Sequence, residues 1–396
     1  MFHRSAEWLA NRDRLPDSAR AVVGYYGDTG VFDYRSLLLK RRVDSVVEGM
    51  LDRLFAEVGR VVADELGYDE VVLRYDTKLV LPAKLTLGRL YRELEPADHL
   101  RAEEMTRLAV EALIDGDMRD AINDEEFEDF EFDVDLDERE RRRAAELAQE
   151  HMQHRVEKQL AAYSSSVRET YEWAVERSNA HQARDERFRE LMAEVQRGET
   201  PPERLATEYR DAAFDDPPAL FTEAELSVPY IKTQYDRVGV LYDAMLGMYR
   251  ESGLPVDRSF QRAIVLAIIG AQIWLDDIDD FEDDLRSGQL TPVTAEYLLA
   301  GEGDDPRGGV VSVGRQYLDR AQAEATAAGS PLTGIAIEYI LRSGDPDALP
   351  PGIEIRHRGG GDGPVAAETD HSPETVGSAT DRAPETDDGL SAEGEL

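Results

Sequence analysis

The sequence predicts an all-α fold, and three observations lead to this prediction. Apolar residues recur at spacings of three and four along most of the chain, which is the period of a buried helix face. Proline and glycine are sparse inside these periodic segments. Only Asp69–Pro82 has β character, and it fits either a short hairpin or the end of one helix followed by the start of the next.

The first half of the chain begins with the clearest helix, Ser36–Gly67, where Gly67 is suited to end the helix. Two more helical patterns follow, at Ala83–Leu94 and Leu100–Gly116. The segment from about 123 to 137 is acidic and interleaved with phenylalanine, and we interpret it as a linker. The apolar stripe of the first helix is Leu38, Val43, Val46, Met50, Leu54, Val58 and Val62.

The second half continues with a long polar helix over Glu138–Gly198, in which opposite charges four residues apart are typical of a solvated face. A shorter helix precedes Pro217 and Pro218. Further helices are predicted at Pro229–Ser252, Ser259–Ser287, Pro292–Ala300 and Gln316–Ala328.

The composition changes near Asp345, where glycine, proline, serine, threonine and acidic residues replace the apolar pattern. Such a segment has little apolar surface to bury, so we expect disorder. The sequence therefore predicts a helical body over residues 1–345 and a disordered acidic tail over residues 346–396.

The charge balance limits the classes of partner. The chain carries 83 acidic and 45 basic residues, a formal charge of −38, which repels nucleic acids and anionic membranes. The high acidity, the presence of only five lysines and the absence of cysteine are typical of cytoplasmic proteins of halophiles. The absence of cysteine also excludes disulfides and thiolate chemistry. The longest apolar run, Ala263–Leu275, is shorter than the ~20 residues that a membrane span needs. The N-terminus has no apolar segment of the kind found in secretory signals. We therefore expect a cytoplasmic protein.

One segment points to chemistry. The stretch "AIVLAIIGAQIWLDDIDDFEDDLRSGQLTP" runs an apolar helix directly into a row of carboxylates. On a continuous α-helix Asp276 and Asp280 lie one turn apart on one face, with Asp283 and Asp284 nearby and Gln272 one turn earlier. The repulsion between these carboxylates is relieved by water, by arginine, by protonation or by a divalent cation. Mg²⁺ suits the row because Mg²⁺ takes one or two carboxylates, water and phosphate oxygens.

The "DDIDD" segment has the form D-D-x-x-D and resembles the second aspartate-rich motif of the trans-isoprenyl diphosphate synthase superfamily, which includes the polyprenyl, squalene and phytoene synthases. The leading Gln272, the following "SGQLTP" and the upstream pair Lys232-Thr233 are similar to features of that superfamily. The resemblance covers Lys232 to Pro292.

This resemblance implies a single all-α bundle around an apolar cavity and a Mg²⁺-dependent transferase or cyclase acting on a prenyl diphosphate. The residues that it implies as metal ligands are Asp276, Asp277 and Asp280, assisted by Asp283 or Asp284. Those implied around the diphosphate are Lys232, Gln272 and Arg286.

An alternative stays open because the superfamily also has a first acidic motif upstream. In this chain Asp133 and Asp137, followed by Arg142 and Arg143, imitate its spacing. A looser substitute is formed by Glu208, Asp211 and Asp215. In the alternative interpretation, the aspartate row is a solvated helix end. The chain is then a non-catalytic helical protein whose grooves bind partner helices. A homodimer is one assembly that the sequence leaves open.

Overall fold

The fold was analysed in a computed structural model that describes residues 21–22, 25–26, 34–301 and 303–353. Over these residues the protein is all-α, which confirms the predicted class. Helices account for nearly all of the regular structure, and the strands are two residues long.

Residues 34–198 contain five helices longer than two turns. The predicted polar helix is broken into two helices at residues 161–164. The break occurs where the Ala161 and Ala162 N–H groups close a turn on the Glu157 and Gln159 carbonyls. The bounds are α1 Tyr34–Leu66, α2 Leu81–Glu93, α3 His99–Asn123, α4 Glu138–Leu160 and α5 Ser165–Gln196, with short 3₁₀ turns at Lys78–Val80, Pro96–Asp98 and Phe127–Asp129.

The second half has shorter helices, and three of them run into π-helical turns, here called π1 to π3. The α-helices are α6 Pro202–Leu205, α7 Glu223–Leu226, α8 Ile231–Gln234, α9 Val240–Glu251, α10 Arg258–Ala271, α11 Asp277–Asp279, α12 Phe281–Ser287, α13 Pro292–Leu299, α14 Pro306–Ala327 and α15 Pro331–Ser343. The π segments are π1 Ala206–Arg210, π2 Tyr235–Gly239 and π3 Gln272–Asp276.

The stretch with β character pairs with a distant segment. Strand β1, Leu73–Arg74, is antiparallel to β2, Glu131–Phe132, which lies inside the predicted acidic linker. Phe127 and Phe130 of that segment are buried against the body. The segment is therefore part of the packed structure, because its phenylalanines supply apolar surface that its acidic composition conceals.

The centre of the bundle is α10, which is apolar on most of its surface and packs most extensively on α14. Close approach depends on glycine: a Cβ at Gly270 would lie 2.7 Å from Leu318 Cδ2, and one at Gly314 would lie 2.7 Å from Trp274 Cε3. Helix α10 thus anchors in the core the apolar segment that leads into the aspartate row.

None of the described helices is both long enough and apolar enough to cross a membrane. The first residues of the predicted tail pack on the body, since Leu349 is buried and Tyr297 donates a hydrogen bond to the Pro350 carbonyl. The rest of the predicted disordered tail, from residue 354, lies outside the described residues.

Candidate functional site

The helix that carries the aspartate row is interrupted by π3, and this changes which side chains meet. In a π turn residues five apart become neighbours. Gln272 Nε2 accordingly donates to Asp277 Oδ1 at 3.5 Å, whereas continuous α-helical geometry predicted Gln272 in line with Asp276. The prediction of that stripe was wrong because it assumed 3.6 residues per turn throughout.

Asp277 is the buried member of the row, with 2% of its surface exposed. Arg237, on π2, donates from Nη1 to Asp277 Oδ1 at 3.3 Å. The other carboxylate oxygen, Oδ2, is buried and makes no hydrogen bond within the described part of the chain. Burial raises the pKa of Asp277 to about 7, against the opposing effect of the Arg237 guanidinium.

The remaining aspartates form a rim at the surface. Asp276, Asp280 and Asp283 are exposed and Asp284 is half-buried. Partial burial raises the pKa of the Asp276 carboxyl, and the neighbouring Asp280 adds to the rise. Burial likewise raises the pKa of Asp284 to about 6, with Arg237 opposing it. Asp284 and Asp277 therefore share one cation, Arg237.

The two basic residues predicted from the sequence do not pair with Asp276, Asp277 or Asp280. Lys232 Nζ lies 2.8 Å from Asp236 Oδ2. Arg286 is exposed and pairs with Asp283 on its own helix. The cation that contacts the buried aspartate is Arg237, which sequence reasoning missed because the π turns set its direction.

Asp236 gathers a set of basic side chains that the sequence also did not indicate. Besides Lys232, it accepts from Arg177 Nε at 2.8 Å and lies 3.6 Å from Arg184 Nη1. Arg177 and Arg184 are seven residues apart on α5, which places them on one face of that helix. The available signal was this spacing, but α5 carries many charged residues and Asp236 lies 59 residues from Arg177 along the chain.

His181 lies on the same face of α5, between these arginines. Burial lowers the pKa of His181 to about 4, and the Arg237 guanidinium lowers it further, so the imidazole is neutral at pH 7. The cations of α5 and π2 thus surround a neutral polar side chain.

The upstream aspartates that imitate a first acidic motif have structural roles. Asp133 accepts a hydrogen bond from the Val72 backbone N–H at 2.7 Å. Asp137 caps α4 by accepting from the Glu140 N–H, and Glu140 completes a capping box. Neither residue belongs to the site.

Helix α3 brings a different carboxylate toward the row. Asp117 accepts from the Tyr75 hydroxyl at 2.7 Å. Asp117 and Asp276 both raise the pKa of the buried Tyr242 hydroxyl, after the larger effect of its burial, so both carboxylates lie within electrostatic range of this group. The sequence signal was "IDGDMRD" after an apolar helical run, and it was overlooked.

The core behind the row is filled, since Ile273, Trp274 and Ile278 are buried. An apolar cavity of about 60 Å³ lies between α3, α5 and α9. Its lining is mostly alanine, leucine and methionine, with Arg119 and Asp120 contributing polar groups. This volume corresponds to roughly two water molecules.

No family model matches the chain, and no curated protein or solved structure is significantly similar to it.

Within the described ranges, no three His, Asp or Glu side chains are grouped closely enough to hold a metal ion by themselves. Mg²⁺ does not require three, because one or two carboxylates with water and a substrate phosphate suffice. The pKa of Asp276 is raised first by desolvation and then by the negative charge of Asp280, so the two carboxylates lie within electrostatic range of each other.

Proposed function

We propose that this chain is an isoprenoid-synthase-like protein that binds a prenyl diphosphate with Mg²⁺ and promotes its transfer or cyclisation. The observation that carries the proposal is Asp277, a buried carboxylate with one unpaired oxygen, held against Arg237 and bordered by exposed aspartates. Perturbed carboxylates beside a specific cation are typical of functional sites, as are π turns.

The site residues take distinct roles in this proposal. Asp276 and Asp280 would hold Mg²⁺, which supplies charge neutralisation for a diphosphate leaving group. Asp277 fixes the Arg237 guanidinium through Oδ1. Arg237 then presents its other N–H groups to phosphate oxygens, for which a guanidinium has suitable geometry.

The supporting experiment measures the melting temperature of the full chain with Mg²⁺ and with geranyl, farnesyl or geranylgeranyl diphosphate, followed by product analysis. We expect a ligand shift of a few degrees that needs both components and is lost in Asp276→Ala and Asp280→Ala. The matched control is Asp279→Asn, which changes an exposed aspartate of the same pentad and keeps the shift.

A second candidate function is the non-catalytic helical interaction protein. The filled core behind the row favours it, because an apolar substrate chain needs a cavity beside the metal-binding carboxylates. If no diphosphate shifts the melting temperature at millimolar ligand and no product forms, the enzymatic proposal is abandoned in favour of this one.

A further inference from the structure

The charges around Asp236 do not balance. This carboxylate is 4% exposed, and three cations contact it: Lys232 and Arg177 at 2.8 Å, and Arg184 at 3.6 Å. Three positive charges against one negative charge leave an excess of two. The whole chain has the opposite excess, with 83 acidic residues against 45 basic ones, so this concentration of positive charge is unusual for the molecule.

Neighbouring groups do not remove the excess. Arg237, the next residue along the chain, is occupied by Asp277. Asp185, on the following turn of α5, pairs with Arg189 at 2.8 Å. His181 lies between the two α5 arginines and is neutral at pH 7.

The three cations are fixed in position by their neighbours, and they differ in how much of each side chain is exposed. Arg177 lies over the Tyr235 and Trp173 rings, which fix its position. Lys232 is largely buried, with 14% of its side chain exposed, and Asp236 is its one ion-pair partner in the described part of the chain. Arg184 is 53% exposed, and its contact with Asp236 is its one ion pair within the described ranges. The exposed guanidinium of Arg184 thus brings this cluster to a surface that solutes can reach.

We propose that Arg177, Arg184 and Lys232 form a binding site for a phosphate-type oxyanion, with Asp236 as the buried anchor that spaces the three cations. Two guanidinium groups and an ammonium offer several charge-assisted hydrogen bonds to one tetrahedral anion. Binding an anion there removes the excess positive charge. This inference deepens the proposed function, and rests on it only in taking a diphosphate group as the natural ligand.

The test uses inorganic pyrophosphate as the probe. Isothermal titration of the full chain in metal-free buffer measures its Kd, with orthophosphate and acetate titrated in parallel. We expect pyrophosphate to bind more tightly than orthophosphate, and acetate more weakly than both. Arg184→Gln should weaken pyrophosphate binding about tenfold, because one charge-assisted hydrogen bond is lost.

Arg168→Gln is the matched control. Arg168 is exposed on the same helix, 16 residues from Arg184, or about 24 Å along α5. Its replacement should leave Kd unchanged. Arg177→Gln supplies a second site variant, and circular dichroism verifies that each variant is folded.

The proposal is overturned if the wild-type chain binds no pyrophosphate up to about 10 mM. It is equally overturned if Arg184→Gln and Arg168→Gln weaken binding to the same degree. Failure of the proposed function gives a different result: pyrophosphate binding that depends on Arg184, with no Mg²⁺-dependent response to prenyl diphosphates and no effect of Asp276→Ala.

Discussion

At the residue scale, Asp277 differs from the exposed aspartates around it in being buried and in having a pKa of about 7. Its surroundings combine a filled core, one guanidinium and one amide. An ionised carboxylate in such a place is costly unless it is paired, and a single contact at 3.3 Å compensates only part of that cost. The raised pKa of Asp277 is the consequence.

This pKa predicts a pH dependence of stability. The carboxyl of Asp277 titrates at about 7 in the folded protein but at 3.8 in the unfolded chain. Between these values the unfolded chain binds fewer protons, so the free energy of unfolding falls as pH rises from about 4 to 7. The decrease from this one group is about 4 kcal/mol, at 1.36 kcal/mol per pH unit.

Asp277→Asn removes the titrating group and should flatten this part of the profile. Urea unfolding of both proteins at several pH values between 4.5 and 7.5, in metal-free buffer, measures the difference. We expect the variant to gain stability relative to wild type as pH rises. Asp279→Asn, an exposed change two residues away, should follow the wild-type profile. Parallel profiles for wild type and Asp277→Asn would contradict the assignment.

At the scale of elements, the π turns decide which side chains form the site. On π2, Asp236 accepts from Arg177 whereas its neighbour Arg237 donates to Asp277. On π3, Gln272 donates to Asp277, where a continuous α-helix would align it with Asp276. A π turn accommodates one additional residue in a helix, and neither its presence nor its position follows from apolar periodicity. The helices themselves were predictable because their periodicity extends over many turns, whereas these contacts were not.

The packing of α10 and π3 on α14 gives a second prediction. A Cβ at Gly314 would overlap the Trp274 ring, so Gly314→Ala should lower the free energy of unfolding by about 1–3 kcal/mol. Denaturant unfolding measures the change. Trp274 fluorescence should also shift, because the ring has to move.

Gly116→Ala is the matched control for that experiment. Gly116 lies inside α3 and has no atom within 4 Å of the position of a Cβ. Alanine there should be neutral or stabilising by up to about 1 kcal/mol, because alanine has the higher helix propensity. Equal losses at both glycines would show that the close contact with Trp274 is not the cause.

At the scale of the whole molecule, the dominant feature is a formal charge of −38. Repulsion among like charges disfavours the compact state, and salt screens it over a distance that shrinks from about 10 Å at 0.1 M to about 3 Å at 1 M. Many basic residues are already committed to ion pairs, including Arg155 with Glu57 and Glu111. Those acids that lack partners repel one another over the surface.

The melting temperature should therefore rise between 0.1 M and 1 M KCl. The rise reflects screening of surface repulsion, while partly buried pairs such as Arg155–Glu111 are screened much less. Circular dichroism melts at several KCl concentrations test this. A melting temperature that is constant or lower at 1 M would show that favourable surface ion pairs outweigh the repulsion.

The sequence by itself determined the all-α class, the long helices and the apolar lead-in to the aspartate row, because each depends on local periodicity and composition. The tertiary structure decided the pairing of β1 with the distant β2, the packing of the acidic segment, and the separation of α4 from α5. It also decided that Asp277 is buried against Arg237 and that Arg177, Arg184 and Lys232 meet at Asp236. The contacts of Arg237 with Asp277, and of Arg177 and Arg184 with Asp236, join residues 40 to 60 positions apart through helix crossings and π turns, and such distances carry no signal in local pattern.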